Sequence, residues 1–144
     1  MPRAESRGCV FCSIIAGDVA AHWVLDTADV VAFLDHRPLF KGHVLLMPRA
    51  HVARLRDLAG PLRDELFART QEVAAAVQDA MGAQGSFVAM NNVVSQSVPH
   101  LHVHAVPRTK GDGLRGFFWP RHKYDDDAEA AAVAAVIRGL LAAQ

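Results

Sequence analysis

Apolar and polar positions alternate with a period of two along several short stretches of this chain and recur at helical spacing along two longer ones. Residues His22 to Leu25 and Val30 to Leu34, rich in β-branched and aromatic side chains and separated by Asp26-Thr27-Ala28-Asp29, predict a hairpin. Asp35-His36-Arg37-Pro38 ends its second strand, and Lys41-Gly42 turns the chain into an apolar run, His43 to Met47, which Pro48 closes as a third strand. Gly85 to Met90 and His100 to Val106 predict a fourth and a fifth. Between them Leu62, Leu66, Val73, Val77 and Met81 recur among Arg63, Asp64, Glu65, Arg69 and Gln71. That spacing predicts a long helix with Pro61 in its first turn and Gly82 at its stop, with Val52 to Leu58 as a short helical lead-in. A last helix follows Asp125, Asp126 and Asp127, whose charge suits a helix start, and carries Val133, Val136, Ile137, Leu140 and Leu141 as its apolar stripe. Cys9 to Ala16 is a short apolar segment closed by Gly17-Asp18, and Gly111 to Tyr124 reads as an ordered but irregular excursion. Strands grouped before and after one long helix predict an α+β fold with a five-stranded, mostly antiparallel sheet and two main helices.

Composition narrows the possibilities. A chain of 144 residues, 51% of them hydrophobic, is the size of one domain with a real core. Fifteen basic residues balance fifteen acidic ones, so no general attraction to nucleic acid or to an anionic membrane is implied, and an anionic ligand has to be held locally. No apolar run reaches the ~18 residues of a membrane span, and Met1 to Gly8 lacks the apolar stretch of a signal peptide; a cytoplasmic location is expected. The two cysteines, Cys9 and Cys12, form one C-x-x-C, which in a reducing compartment suggests a metal site or a redox pair before a structural disulfide.

The chemistry concentrates in His100, His102 and His104, three of eight histidines within five residues. In an extended strand their side chains share one face while Leu101, Val103 and Ala105 take the other, with Cα atoms roughly 6.5 to 7 Å apart. Histidine suits proton transfer, nucleophilic attack and metal binding near neutral pH. His100-Leu101-His102-Val103-His104-Ala105-Val106 resembles the signature of the histidine triad (HIT) family of nucleotide hydrolases and transferases. Phe11-Cys12-Ser13-Ile14-Ile15 with Gly17, Phe33-Leu34-Asp35 with Pro38, Gly42-His43, Pro48-Arg49-Ala50-His51, Gln96-Ser97-Val98 and Pro107-Arg108 are similar to family elements in their usual order, across residues 9 to 108.

The resemblance, closest to the Hint-like branch in its bacterial zinc-containing form, implies one HIT-like domain over residues 1–144, with its core at 9–108 and a C-terminal segment and helix at 109–144. It implies that His102 attacks an α-phosphate to give a nucleotidyl-histidine intermediate, that His104 stabilises the phosphate or passes a proton, and that His43 sits behind His102 and orients it. Asp35 would accept hydrogen bonds from ribose hydroxyls; Asn91 or Asn92, Gln96 and Ser97 would bind the phosphate. Ile14, Ile15 and Phe33 either form an apolar slot for the base or are simple core residues. The expected substrate is a purine nucleotide such as an adenosine monophosphate derivative carrying a phosphoramidate. Dinucleoside polyphosphate cleavage and a non-catalytic nucleotide-binding regulator are the competing readings. Zinc would be held by Cys9, Cys12, His51 and His100 in a structural role, with free or redox-active thiols as the alternative. His22, His36 and His122 read as surface or packing residues. Family members pair as dimers, so a homodimer is expected, and Gly113 to Arg121 could close over a leaving group or lie at a dimer contact. One departure stands out: Asn91-Asn92-Val93-Val94-Ser95-Gln96-Ser97 is shorter than the family's glycine-containing loop and has Ser95 where the pattern has glycine.

Overall fold

The computed structural model describes residues 7–115 and 121–143. The chain divides into two compact units, Met1–Asp112 and Gly113–Gln144. In the first, helix α1 (Val10–Ile15) precedes strands β1 (Trp23–Asp26), β2 (Val30–Leu34) and β3 (Val44–Pro48), then helix α2 (Gly60–Ala80) and strands β4 (Gly85–Ala89) and β5 (Val103–Arg108). The five strands form one sheet in the order β1-β2-β3-β5-β4, and every neighbouring pair is antiparallel. This is the α+β arrangement that the hydrophobic pattern predicts.

The period-two pattern sorts the sheet into two faces. Val30, Ala32, Val44, Leu46, Val103 and Ala105 point one way and pack on Leu66, Val73 and Val77 of α2. Val31, Phe33, Leu45 and Met47 point the other way, against Phe11 and Ile14 of α1. Leu46 and Leu66 are fully buried, and burial on that scale stabilises by about 1.5–3 kcal/mol per side chain. Pro61 stands in the first turn of α2, and Gly82, at φ +60°, follows its end at Met81. The lead-in expected at Val52 to Leu58 is a single 3-10 turn, Leu55–Asp57.

One expectation is given its form here and another needs correction. The apolar segment at Cys9 is a helix whose first cap is Cys9 itself, its sulfur accepting the Cys12 amide at 3.4 Å. The fifth strand starts at Val103, so His100 and His102 precede it rather than lying within it. The cause is Pro48: the β3–β5 ladder runs from Val44↔Ala105 to Leu46↔Val103, and proline has no amide with which to extend it. The Leu101 amide instead donates to the Val52 carbonyl at 2.7 Å.

In the second unit α3 (Asp127–Ala142) starts at Asp126, whose carboxylate accepts the Glu129 amide at 2.8 Å. Val136, Ile137, Leu140 and Leu141 of its expected stripe are exposed. The aromatic positions of the Gly113 to Arg121 segment fall at 117–119, outside the described residues.

Candidate functional site

His43 and His104 meet across β3 and β5 on the sheet face that carries Leu45 and Phe33, where Leu45 stands opposite His104. His43 is buried, and its Nδ1 accepts the Leu39 amide at 3.1 Å. A neutral His43 must then carry its proton on Nε2, which donates to His104 Nδ1 at 2.9 Å. His104 in turn carries its proton on Nε2 and presents it outward from the pair. The expectation that His43 backs His102 is therefore corrected: the ring bond goes to His104, because the chain lies one residue before the Val44↔Ala105 pair and reaches His104 diagonally.

His102 is held by backbone. Its Nδ1–H donates to the His100 carbonyl at 2.7 Å, which leaves the Nε2 lone pair free to attack. The ring of Phe11 packs edge-on against it, with centroids 5.0 Å apart, and His104 lies at the same centroid separation. Burial lowers all three imidazoles below their ordinary range. For His104 burial, with His102 and His43 beside it, brings the value down to about 4. For His43 burial outweighs the opposing pull of Asp35, and for His102 it outweighs the His100 carbonyl. All three are neutral at pH 7, the state an imidazole nucleophile requires. Asp35 places Oδ2 3.7 Å from His43 Nε2 while Oδ1 accepts the Arg37 amide at 2.9 Å.

A second cluster lies on the other side of His100. Cys12 Sγ is 3.3 Å from His51 Nδ1 and 3.5 Å from His100 Nδ1, and Cys9 Sγ is 3.6 Å from His100 Nδ1. The four ligand atoms lie within 4.8 Å of one another. A tetrahedral zinc with ordinary Zn–S and Zn–N bonds separates its sulfur and nitrogen ligands by roughly 3.5 Å, so the spacing fits. The tautomer fits too, since His100 Nε2–H donates to the Pro48 carbonyl at 2.8 Å and its Nδ1 lone pair faces the sulfurs. Burial, with Cys9 beside it, pushes the Cys12 thiol up to about 11, so thiolate at this place calls for a cation between the sulfurs. Asp35, His43 and His104 are equally close together, but their two imidazole nitrogens already share a proton.

The remaining expected contacts divide. Ile14 and Phe33 are buried in the core beneath α1, and Ile15 is half-buried beside them. In the loop before the triad Gln96 is engaged within the protein, Oε1 accepting the Val93 amide at 3.1 Å and Nε2 donating to the Ala53 carbonyl at 2.7 Å. Asn91 donates to the Ser95 carbonyl at 3.2 Å, and Asn92 Oδ1 accepts the Leu55 amide at 2.7 Å. Ser97 is exposed and lines a cleft of about 260 Å³ with Arg7, Cys9 and Val98. Val93 and Ser95 sit at φ 68° and 60°, so the loop adopts left-handed turns without the glycine that favours them. Sequence reasoning did not give Phe11 a role of its own. Its position between the two cysteines of a capped helix was the available signal.

The chain is similar to known proteins over most of its length. The HIT domain matches residues 16–111. The adenosine 5'-monophosphoramidase hnt1 of Schizosaccharomyces pombe is 34% identical over 116 residues, 79% of this chain and 84% of that protein. The crystal structure of a HIT family member from Bacillus subtilis superposes with a TM-score of 0.84 at 30% identity, covering 92% of this chain and 96% of that one. A zinc-bound histidine triad family protein from Mycobacterium smegmatis superposes with a TM-score of 0.71 at 32% identity, covering 96% of this chain and 99% of that one. The chain thus belongs to the histidine triad (HIT) family, on its Hint-like side among homologues of the adenosine monophosphoramidases, with a Cys/His cluster resembling that of zinc-bound bacterial members.

Proposed function

We propose that this protein is a nucleotide hydrolase or nucleotidyl transferase that acts at the α-phosphate of a purine nucleoside phosphoramidate or a similar adenosine monophosphate derivative. The observation that carries the reading is the opposed hydrogen bonding of two neutral imidazoles. His102 gives its proton to the His100 carbonyl and keeps a nucleophilic Nε2, while His104 accepts from His43 and keeps a donor Nε2–H.

In-line attack by His102 Nε2 on phosphorus forms an N–P bond and expels the leaving amine. As the P–N bond breaks, the departing nitrogen takes the proton of His104 Nε2–H, and His43, fixed by the Leu39 amide, stabilises the charge left on His104 through its Nε2–H bond to Nδ1. Water then attacks phosphorus, gives a proton back to His104 Nε2 and breaks the N–P bond, releasing the nucleoside monophosphate and free His102. Asp35 accepts the ribose hydroxyls, and Ser97 with the amides near Asn91 and Gln96 receives the phosphate; Ile15 borders the base beside Ile14 and Phe33. Cys9, Cys12, His51 and His100 hold zinc, which when bound neutralises the thiolates and fixes the fold around His100. The protein works as a homodimer in the cytoplasm.

The test is turnover of an adenosine phosphoramidate against a diadenosine polyphosphate, with wild type and His102→Ala. The proposal expects the phosphoramidate to turn over faster and His102→Ala to lose activity on the order of 10³-fold or more. Intact turnover in His102→Ala removes the nucleophile assignment. Binding of adenosine monophosphate with no turnover of either substrate by wild type makes the protein a nucleotide-binding module instead.

A further inference from the structure

The Cys/His cluster and the proposed nucleophile are joined by two separate links, and both pass through residues that serve one function in each site. The first is His100. Its imidazole faces the two sulfurs through Nδ1 and is steadied by the Pro48 carbonyl through Nε2. The carbonyl of the same residue, two positions from His102, receives the His102 Nδ1 proton at 2.7 Å. A cation gripping the His100 ring fixes the place of the backbone that carries it, and with it the carbonyl that decides which nitrogen of His102 is free. That peptide lies outside the sheet ladder, since β5 begins only at Val103, and its own N–H, that of Leu101, is held by the carbonyl of Val52, the residue next to His51 of the cluster, at 2.7 Å.

The second link is Phe11. It lies between Cys9 and Cys12 in α1, and its buried ring packs edge-on to His102 at 5.0 Å, to His100 at 6.0 Å and to Phe33 at 5.7 Å. A ligand ion bound by Cys9 and Cys12 would clamp the short helix that presents this ring. α1 has only six residues, too few to be stable by itself, so tertiary anchoring decides its position.

We infer that the metal-binding cluster is a positioning device for the nucleophile: with Cys9, Cys12, His51 and His100 gathered on a divalent cation, the His100 carbonyl and the Phe11 ring hold His102 in the tautomer and rotamer that aim Nε2 at phosphorus. The inference rests on the proposed nucleotidyl-histidine chemistry and on zinc occupancy. His100 and Phe11 are positioning residues, acting through His102 and not on the substrate.

The experiment uses the full chain labelled with ¹⁵N at its imidazoles, zinc-loaded, chelated and reloaded, with metal content measured in each state. Long-range ¹H–¹⁵N correlations read the tautomer of His102, and steady-state kinetics with an adenosine phosphoramidate are run in parallel. In the loaded protein His102 is expected wholly as the Nδ1–H form. Chelation should give a mixture of tautomers and lower kcat at least tenfold while KM changes less than twofold, and zinc should restore both. An unchanged His102 tautomer and kcat in a chelated protein that keeps its amide spectrum overturns the inference. If chelation abolishes the folded spectrum, Phe11→Leu in the loaded protein decides: a severalfold fall in kcat at unchanged metal content and KM supports it, and an unchanged kcat overturns it. A chain that takes up no metal overturns both this inference and zinc occupancy, whereas failure of wild type to turn over nucleotide, with the tautomer still metal-dependent, confines the failure to the proposed chemistry.

Discussion

At the scale of single residues, the site depends on histidines being neutral well below the pH at which histidine ordinarily titrates. Burial is the main cause for His43, His102 and His104, and for His104 the value reaches about 4 against an ordinary 6.5. The sign follows directly. Above 6.5 His104 is neutral in both folded and unfolded chains and adds no pH dependence. Between 6.5 and about 4 the unfolded chain takes up a proton that the folded His104 refuses, so stability falls as pH falls through this window. For catalysis the same displacement moves the acid limb of kcat/KM below the ordinary histidine range. Activity should hold from neutrality through pH 6.5, with its acid limb displaced below the ordinary histidine value, measured as a pH–rate profile on a phosphoramidate substrate. An acid limb centred at 6.5 or higher would contradict a site built on neutral His104.

At the scale of elements, most of the sheet was legible because alternation reports which face a side chain takes, and α2 because its apolar spacing is helical. The limits of legibility have physical causes. The His43–His104 bond joins residues 61 positions apart and depends on the β3–β5 register, which no local pattern encodes. The start of β5 depends on what Pro48 cannot donate in another strand. The cysteine helix was hidden because six residues are too short to show a period. The grouping of Cys9, Cys12, His51 and His100 came from family resemblance, since spacing alone left free thiols open; the structure brings the four together. The glycine-free loop was legible as a departure, and its consequence is now specific: Val93 and Ser95 occupy left-handed conformations, and a β-branched residue bears the greater cost. Val93 is 67% exposed, so replacing it loses little burial. Val93→Gly should raise the urea midpoint, equivalent to about 1 kcal/mol of added stability after the entropy cost of glycine, with the m-value unchanged. A lower midpoint would show that the loop is not strained at this residue.

For the molecule as a whole, the Cys/His cluster ties together parts of the chain that are far apart in sequence: α1 near the N-terminus, the segment after β3, and the residues entering β5. Without a cross-link there, closing those long loops is opposed by chain entropy, and the Cys12 thiol resists ionisation. A cation that binds the folded chain and not the unfolded one adds stability in proportion to the logarithm of its free concentration over its dissociation constant, about 4 kcal/mol at a thousandfold excess. For a chain of this length that corresponds to roughly 10 °C in Tm. Wild type should therefore melt about that much higher with zinc than with a strong chelator, and elemental analysis should find one zinc per chain. Cys9→Ser should lose both the metal and the dependence of Tm on zinc, because a serine hydroxyl does not give the thiolate that zinc prefers. Calorimetry of both proteins, with and without chelator, measures the difference. Equal Tm values for wild type in zinc and in chelator, or unchanged metal content in Cys9→Ser, would remove zinc from this cluster.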